Sequence, residues 1–244
     1  MTLTTHLQTL HPTLFHSATN PPFLVHAGQG TLPKRVLSTW LTQDRLYAHA
    51  YIQFIGGLLS KISIPAHPHA ADSIESRTVS VLIDALVNIQ REITGFEDTA
   101  ARFGLDDLAS SSDPDEEEGS PTPITRAYID LFMSASGPSA TLLEGLTVLW
   151  ATEVSYLRAW QGAARIAGDV QRDPAMDADG GAARAYFIPS WTSSEFEAFV
   201  RDIARVVDEV YALGGGESQP DVLGRCRVWW RQVLWLEERF WPEV

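Results

Sequence analysis

Hydrophobic residues recur at helical spacing along most of the chain, and no stretch shows sustained alternation of apolar and polar positions. Residues 72–103 are typical, because Val79, Leu82 and Leu86 fall on one face of a helix there. Similar patterns predict helices over residues 4–15, 33–63, 123–136, 139–167, 192–213 and 219–241. We therefore predict an all-α protein, a single-domain bundle of about seven or eight helices over residues 1–244.

Proline, glycine and serine mark the predicted boundaries between helices. The Asn-Pro-Pro sequence at 20–22 breaks the chain after the first helical segment. We expect the next long helix to be interrupted or bent near Gly56 and Gly57. Either Ser193 or Ser194 is expected to cap the helix over 192–213.

The segment at 104–122 lacks the helical pattern and is rich in Ser, Asp, Glu, Gly and Pro. It contains the acidic run at 113–118 and is predicted to be a flexible, solvated loop. A functional role for this run is the less favoured interpretation, because charge runs usually face solvent.

The overall charge restricts the possible partners. The chain has 31 acidic and 18 basic residues, with a formal net charge of −13. Such a surface repels phosphate, so we expect neither nucleic acid nor an anionic membrane as partner. No apolar run approaches the roughly 20 residues that span a bilayer, and the N-terminus lacks the pattern of a secretory signal. Cys226 is the only cysteine and cannot form an internal disulfide. We therefore expect a cytoplasmic protein.

Acidic side chains interrupt the apolar stripes of three predicted helices, and the first of them is Asp44. In the helix over 33–63, Asp44, Tyr47 and Tyr51 fall on one face. A carboxylate turned toward the interior must be paired, hydrogen-bonded or functional, because burying an unpaired charge is costly. This face is therefore a candidate site.

Two later helices repeat the same design. Glu153 lies in the most apolar run of the chain, after Leu149 and before Tyr156 on the buried stripe. Glu237 follows several tryptophans and is itself followed, one helical turn later, by Phe240. The three acids thus belong to segments that are otherwise rich in core residues.

A simpler explanation is that each acid sits at a helix boundary or pairs with an arginine such as Arg158 or Arg239. That explanation weakens for Asp44 and Glu153 together, because both interrupt strong core stripes. Acids in apolar walls have raised pKa values, which suits general acid–base catalysis near neutral pH. Aromatic walls beside them suit a flat, nitrogen-bearing ring.

Other kinds of site have little support. His67 and His69 flank a proline but lack the third ligand that a zinc site needs, so we predict no metal and no cofactor. The chain has no phosphate-binding loop, no Gly-x-Ser-x-Gly elbow and no dinucleotide fingerprint.

Short motifs in a definite order span most of the chain. They are Gly30-Thr31-Leu32-Pro33, Gln43-Asp44 with Tyr47 and Tyr51, Thr125-Arg126-Ala127-Tyr128, the apolar helix from Glu144 to Tyr156, and Glu237-Glu238-Arg239-Phe240-Trp241. This ordered set resembles the TenA-type thiaminase II family. The resemblance implies a haem-oxygenase-like helical bundle that cleaves or deaminates thiamin-derived aminopyrimidines. It also implies a homo-oligomer, a dimer or a tetramer, because relatives of this type assemble.

The resemblance also implies roles for individual residues. In that family the acid matching Asp44 binds a ring nitrogen and the amino group of the pyrimidine, and the acid matching Glu237 assists proton transfer. The expected substrate-binding side chains are Tyr47, Tyr51, Tyr128, Thr152, Tyr156, Phe240 and Trp191, which replaces a family tyrosine.

The main departure from the family concerns its catalytic cysteine, whose position falls on Thr152. Cys226 lies in the last helix and is expected to be a small buried residue. A second branch of the family lacks this cysteine and uses a glutamate instead. By this resemblance, Glu153 could fill that role. Whether Thr152 or Glu153 faces the pocket stays open.

Three functional hypotheses follow. The first is a hydrolase that acts on thiamin-related aminopyrimidines with carboxylates in place of the cysteine. The second is a TenA-like protein with a lost or changed reaction that binds another small aromatic metabolite. The third is an assembly protein whose aromatic surface is an interface, since the chain contains eight tryptophans.

Overall fold

The computed structural model describes residues 1–66, 72–105, 119–216 and 220–244. Several expectations therefore lie outside the described residues. They concern His67 and His69, the acidic run at 113–118 with most of the predicted loop around it, and the beginning of the last helix at residue 219.

The described residues form ten α-helices and no strand, which confirms the all-α prediction. The helices are α1 (Leu3–Gln8), α2 (Pro12–Thr19), α3 (Pro22–Gln29), α4 (Lys34–Leu59), α5 (Ile74–Phe103), α6 (Pro123–Ser136), α7 (Leu142–Gly168), α8 (Ile188–Trp191), α9 (Ser194–Leu213) and α10 (Pro220–Phe240). No helix in this part of the chain is long and apolar enough to cross a membrane.

The elements beyond the expected seven or eight are short. The predicted segment at 4–15 is divided between α1 and α2, and α3 begins at the second proline of the Asn-Pro-Pro sequence, which predicts only a boundary. Pro22 is the first residue of α3, where its missing N–H costs no hydrogen bond. A π-helical turn at Ala183–Phe187 leads directly into the single turn of α8. Ser193, rather than Ser194, caps α9 by accepting a hydrogen bond from the Phe196 backbone N–H.

Helix α7 runs through the middle of the molecule and contacts α2, α3, α4, α6, α8, α9 and α10. It begins with a capping box, in which the Thr141 hydroxyl and the Glu144 carboxylate each accept a hydrogen bond from the other's backbone N–H. The same Glu144 carboxylate accepts a hydrogen bond from the Trp229 indole at 3.1 Å and pairs with Arg225 at 3.2 Å. These contacts attach α10 to the beginning of α7.

Most of the tryptophans pack inside the molecule. Six of the eight are buried, and their rings contact one another and neighbouring phenylalanines. Trp160 stacks on Trp191 with ring centroids 4.9 Å apart, and Trp40 touches both rings. Only Trp235 is an exposed tryptophan among the described residues. Most of the tryptophans, whose number motivated the assembly hypothesis, are therefore core residues.

Helix α4 is continuous through Gly56 and Gly57, so the expected interruption there is wrong. Gly57 instead allows close contact with α6, because a Cβ on it would lie 2.6 Å from the Cβ of Ser136. A Cβ on Gly56 would meet nothing within 4 Å.

This pair of glycines makes a matched test of the α4–α6 contact. We expect Gly57→Ala to lower the free energy of unfolding by about 1–3 kcal/mol, because the added methyl group overpacks the interface. Gly56→Ala should raise it by up to about 1 kcal/mol, since alanine is the better helix former. Urea unfolding of both variants measures the difference, and equal effects would contradict the close contact.

Candidate functional site

Two acid–tyrosine pairs link α4 and α7 in a reciprocal manner. The Tyr156 hydroxyl of α7 donates a hydrogen bond to Asp44 Oδ1 of α4 at 2.9 Å. The Tyr51 hydroxyl of α4 donates to Glu153 Oε1 of α7 at 2.6 Å. Each helix thus supplies one acid and one phenol, which places both carboxyl groups at the same interface.

A third pair joins α6 and α10. The Tyr128 hydroxyl donates a hydrogen bond to Glu237 Oε1 at 2.5 Å, and both side chains are buried. Glu237 Oε2 is a buried oxygen without a hydrogen-bond partner among the described residues. One oxygen of this carboxyl group therefore remains available for a proton or a ligand.

A small internal cavity lies between α4, α5, α7 and α8. Its walls include seven of the ten predicted site residues together with Ala48, Ile89 and Glu92; the seven are Asp44, Tyr47, Tyr51, Thr152, Glu153, Tyr156 and Trp191. The prediction that Asp44, Tyr47 and Tyr51 share a face therefore agrees with their placement. The cavity has a volume of about 20 Å³, close to what one water molecule needs, so a pyrimidine ring enters only if side chains move.

The other three predicted residues lie behind Tyr47. The Tyr47 ring packs edge-on against Tyr128, with centroids 5.1 Å apart, and against Phe240 at 5.8 Å. Glu237 is hydrogen-bonded to this Tyr128. The structure thus brings all ten predicted residues into one region, with Glu237 separated from the cavity by an aromatic layer.

Burial raises the pKa of each acid toward neutral pH. The pKa of Asp44 rises to about 7, mainly through desolvation; the Tyr156 hydrogen bond lowers it and the charge of Glu153 raises it. Desolvation also raises the pKa of Glu153 to about 7, against the lowering effect of Tyr51.

Glu237 shows the same effect of burial. Desolvation raises its pKa to about 8, the hydrogen bond from Tyr128 lowers it, and the charges of Asp44 and Glu153 raise it further. Burial and the neighbouring carboxylates also hold the pKa values of the Tyr51, Tyr128 and Tyr156 phenols well above their usual range. At neutral pH the tyrosines are therefore hydrogen-bond donors, and the acids can both give and take protons.

The arginines offered as simpler partners bind elsewhere. Arg158 donates a hydrogen bond to Gln161, and Arg239 pairs with Glu238 at 2.5 Å. The explanation that these arginines neutralise the buried acids is therefore wrong. Tyrosine hydroxyls are the observed partners instead.

Sequence reasoning missed Glu92, a fourth acid at the cavity. It lies on α5, three residues after the buried Ile89 and four before the buried Phe96, and thus on the same stripe. Desolvation raises its pKa well above the usual range, and the charges of Glu153 and Asp44 raise it further. The pattern that identified Asp44 and Glu153 was therefore present in α5 as well.

Thr152 and Glu153 both line the cavity, so the choice between them does not arise. The Thr152 hydroxyl is buried and donates to the Leu149 backbone carbonyl at 2.9 Å. Cys226 is fully buried, as predicted, and accepts a hydrogen bond from the Thr147 hydroxyl away from the cavity lining. Burial raises the pKa of this thiol. Among the described residues, no group of three or more His, Cys, Asp or Glu side chains is arranged to hold a metal ion.

Two curated relatives match the sequence. A protein of Fusarium pseudograminearum (strain CS3096), named "Probable transcription factor", is 28% identical over 99% of this chain and 52% of its own length. A "Probable bifunctional TENA-E protein" of Glycine max is 27% identical over 60% of this chain and 57% of its own length. The chain spans little more than half the length of these relatives.

Solved structures show the same fold. A TenA homologue from Pyrococcus furiosus matches with a TM-score of 0.75 and 20% identity, over 98% of both chains. One from P. horikoshii OT3 matches with a TM-score of 0.73 and 18% identity, over 99% of this chain and 97% of its own. These likenesses confirm the haem-oxygenase-like helical fold. A model described as the TENA/THI-4/PQQC family matches residues 13–244, and the chain therefore belongs to this family.

Proposed function

We propose that the protein hydrolyses a thiamin-related aminopyrimidine by using carboxyl groups rather than a thiol. The observation that carries the proposal is a set of three acids, Asp44 and Glu237 buried and Glu153 half-buried, each hydrogen-bonded to a tyrosine around a region walled by aromatic rings. The family membership and the soybean relative named as a TENA-E protein support a role in thiamin salvage.

Asp44 is the anchor in this proposal. An aminopyrimidine presents a ring nitrogen beside an exocyclic amino group, and a carboxyl group matches that edge with two parallel hydrogen bonds. Tyr156 holds one Asp44 oxygen at 2.9 Å and so orients the carboxyl group. Tyr47 and Trp191, which line the same cavity, supply the flat apolar walls for the ring.

The reaction needs one base and one acid. Water attacks the carbon that carries the leaving amine, and the new C–O bond forms as the C–N bond breaks. Glu153, with a pKa of about 7, takes the proton from this water. Glu237, with a pKa of about 8, keeps a proton on the departing nitrogen once the Tyr47 ring, which separates it from the cavity, has moved aside to admit the substrate. The products are the hydroxylated pyrimidine and the free amine.

The small size of the cavity favours a second candidate, a protein that binds an aromatic metabolite without turning it over. A cavity of about 20 Å³ admits a ring only after a rearrangement, and that rearrangement need not assemble a reactive site. A homo-oligomer and a cytoplasmic location remain predictions under either candidate.

Turnover of aminopyrimidines separates the two candidates. We expect the aminomethyl derivative of the thiamin pyrimidine to be converted to its hydroxymethyl counterpart with release of ammonia. Mass spectrometry measures this conversion. Cys226→Ala should keep activity within about twofold, because its buried thiol takes no part. Loss of activity in a folded Cys226→Ala protein would contradict the carboxyl mechanism, and ligand binding without turnover would favour the second candidate.

A further inference from the structure

A second, larger cleft lies on the outer side of the cavity. It is formed by α5 and by the segment from Tyr186 to Phe196, and its volume is about 280 Å³. Its lining includes the polar side chains Asn88, Arg91, Ser190 and Ser193. The cleft therefore has room and hydrogen-bonding groups for a substituent larger than the inner cavity accepts.

Two side chains, Glu92 and Trp191, line both the inner cavity and the outer cleft. They form the wall between the two spaces. Directly beyond them, Gly95 lets Tyr186 lie against α5, because a Cβ there would fall 1.9 Å from the Tyr186 hydroxyl oxygen. Tyr186 belongs to the π-helical turn, a form of helix that is often found at functional sites.

Three carboxyl groups, those of Glu92, Glu153 and Asp44, face the space beside this wall. Desolvation raises the pKa of Glu92, the charges of Glu153 and Asp44 raise it further, and the hydrogen bond with the Trp191 side chain lowers it. Carboxylates that crowd around one space repel each other, and a positive charge between them relieves that repulsion. A cationic group that reaches from the ring site toward Glu92 would therefore be bound more tightly than a neutral group of the same size.

We propose that Glu92 is a specificity-determining residue that recognises a cationic substituent of the aminopyrimidine, and that the outer cleft receives the part of this substituent beyond the Glu92–Trp191 wall. The inference rests on the proposed function of the inner cavity. It adds a residue on α5 and a second subsite, whose role is selection of the substituent rather than proton transfer.

The test compares a cationic and a neutral ligand of nearly equal size. The KM of the aminomethyl derivative of the thiamin pyrimidine and the inhibition constant of its hydroxymethyl derivative are measured for the wild type and for Glu92→Gln. If the protein shows no turnover, the dissociation constants of the two ligands are measured by calorimetry instead of the KM and the inhibition constant. The matched control is Glu97→Gln, the same change at an exposed position of α5.

We expect Glu92→Gln to weaken the cationic ligand about tenfold and to leave the neutral ligand within about twofold, because only a cation favours ionisation of Glu92 and gains a charged partner that glutamine cannot provide. Glu97→Gln should change neither. Equal effects on both ligands, or none, would overturn the role of Glu92 while leaving the ring site in place. A wild-type protein that neither binds nor converts either compound would refute the proposed function and this inference with it. If Glu92→Gln does not fold, Glu92→Asp, which keeps the charge but shortens its reach, must show the same selective loss to a smaller extent.

Discussion

Replacing Asp44 with asparagine is expected to lower kcat/KM for the aminopyrimidine by about 10- to 100-fold, the loss typical of a charge-assisted hydrogen bond. The change preserves the size of the side chain, removes its ability to ionise and replaces one acceptor oxygen with an amide donor. Because the pKa of Asp44 is about 7, the wild type has access to the carboxylate near neutral pH. Steady-state kinetics at neutral pH measure the effect.

The control for Asp44→Asn is Asp84→Asn, the same substitution at an exposed position of α5. It should leave kcat/KM unchanged. Asp44 also accepts the Tyr156 hydroxyl, so the fold of each variant is checked by thermal unfolding. A folded Asp44→Asn protein with full kcat/KM would show that Asp44 has no role in the site, and the burial of Asp44 would then have no functional explanation.

Glu237→Gln is expected to remove a large pH dependence of stability. The pKa of Glu237 is about 8 in the folded protein against an ordinary value of 4.5. Between these two values the folded state binds more protons than the unfolded state, so its stability falls as the pH rises. The contribution is present in full at the acidic end and is lost as the pH rises through about 8, where the carboxyl group must ionise while buried.

Urea unfolding of the wild type and of Glu237→Gln at about pH 5 and about pH 8.5 measures this contribution. From the lower to the higher pH, the free energy of unfolding of the variant should rise by about 4 kcal/mol relative to that of the wild type, because glutamine has no proton to lose. Glu97→Gln, at an exposed position, should show the same pH dependence of stability as the wild type. A Glu237→Gln curve parallel to that of the wild type would show that Glu237 titrates normally and cannot hold a proton for the leaving group.

The predictable part of this protein is the part that local spacing determines. The helical period predicted the long helices α4 to α7, α9 and α10, and the same period placed Asp44, Tyr47 and Tyr51 on one face. The short helices are different, since α8 and the π-helical turn before it span nine residues together and have too few positions for a period to be seen. Their conformation depends on packing against the tryptophans of the core, which local sequence does not specify.

The contacts across the site were less predictable than its members. Spacing identified Asp44 and Glu153 as buried acids, but the exchange of partners with Tyr156 and Tyr51 depends on how α4 and α7 are set against each other. Arginine was therefore a reasonable but incorrect partner. Glu92 stands out less for another reason: its stripe on α5 is mainly aliphatic, whereas aromatic residues flank Asp44 and Glu237.

A crystal structure of the protein with the hydroxymethyl derivative of the thiamin pyrimidine would show whether Asp44 anchors the ring. We expect the ring to lie between Tyr47 and Trp191, with its ring nitrogen and amino group within hydrogen-bond distance of Asp44. The substituent should point toward Glu153 and Glu92, in a cavity that has widened beyond its present volume of about 20 Å³. A ring bound elsewhere, with Asp44 and Glu153 still closed against Tyr156 and Tyr51, would contradict this expectation.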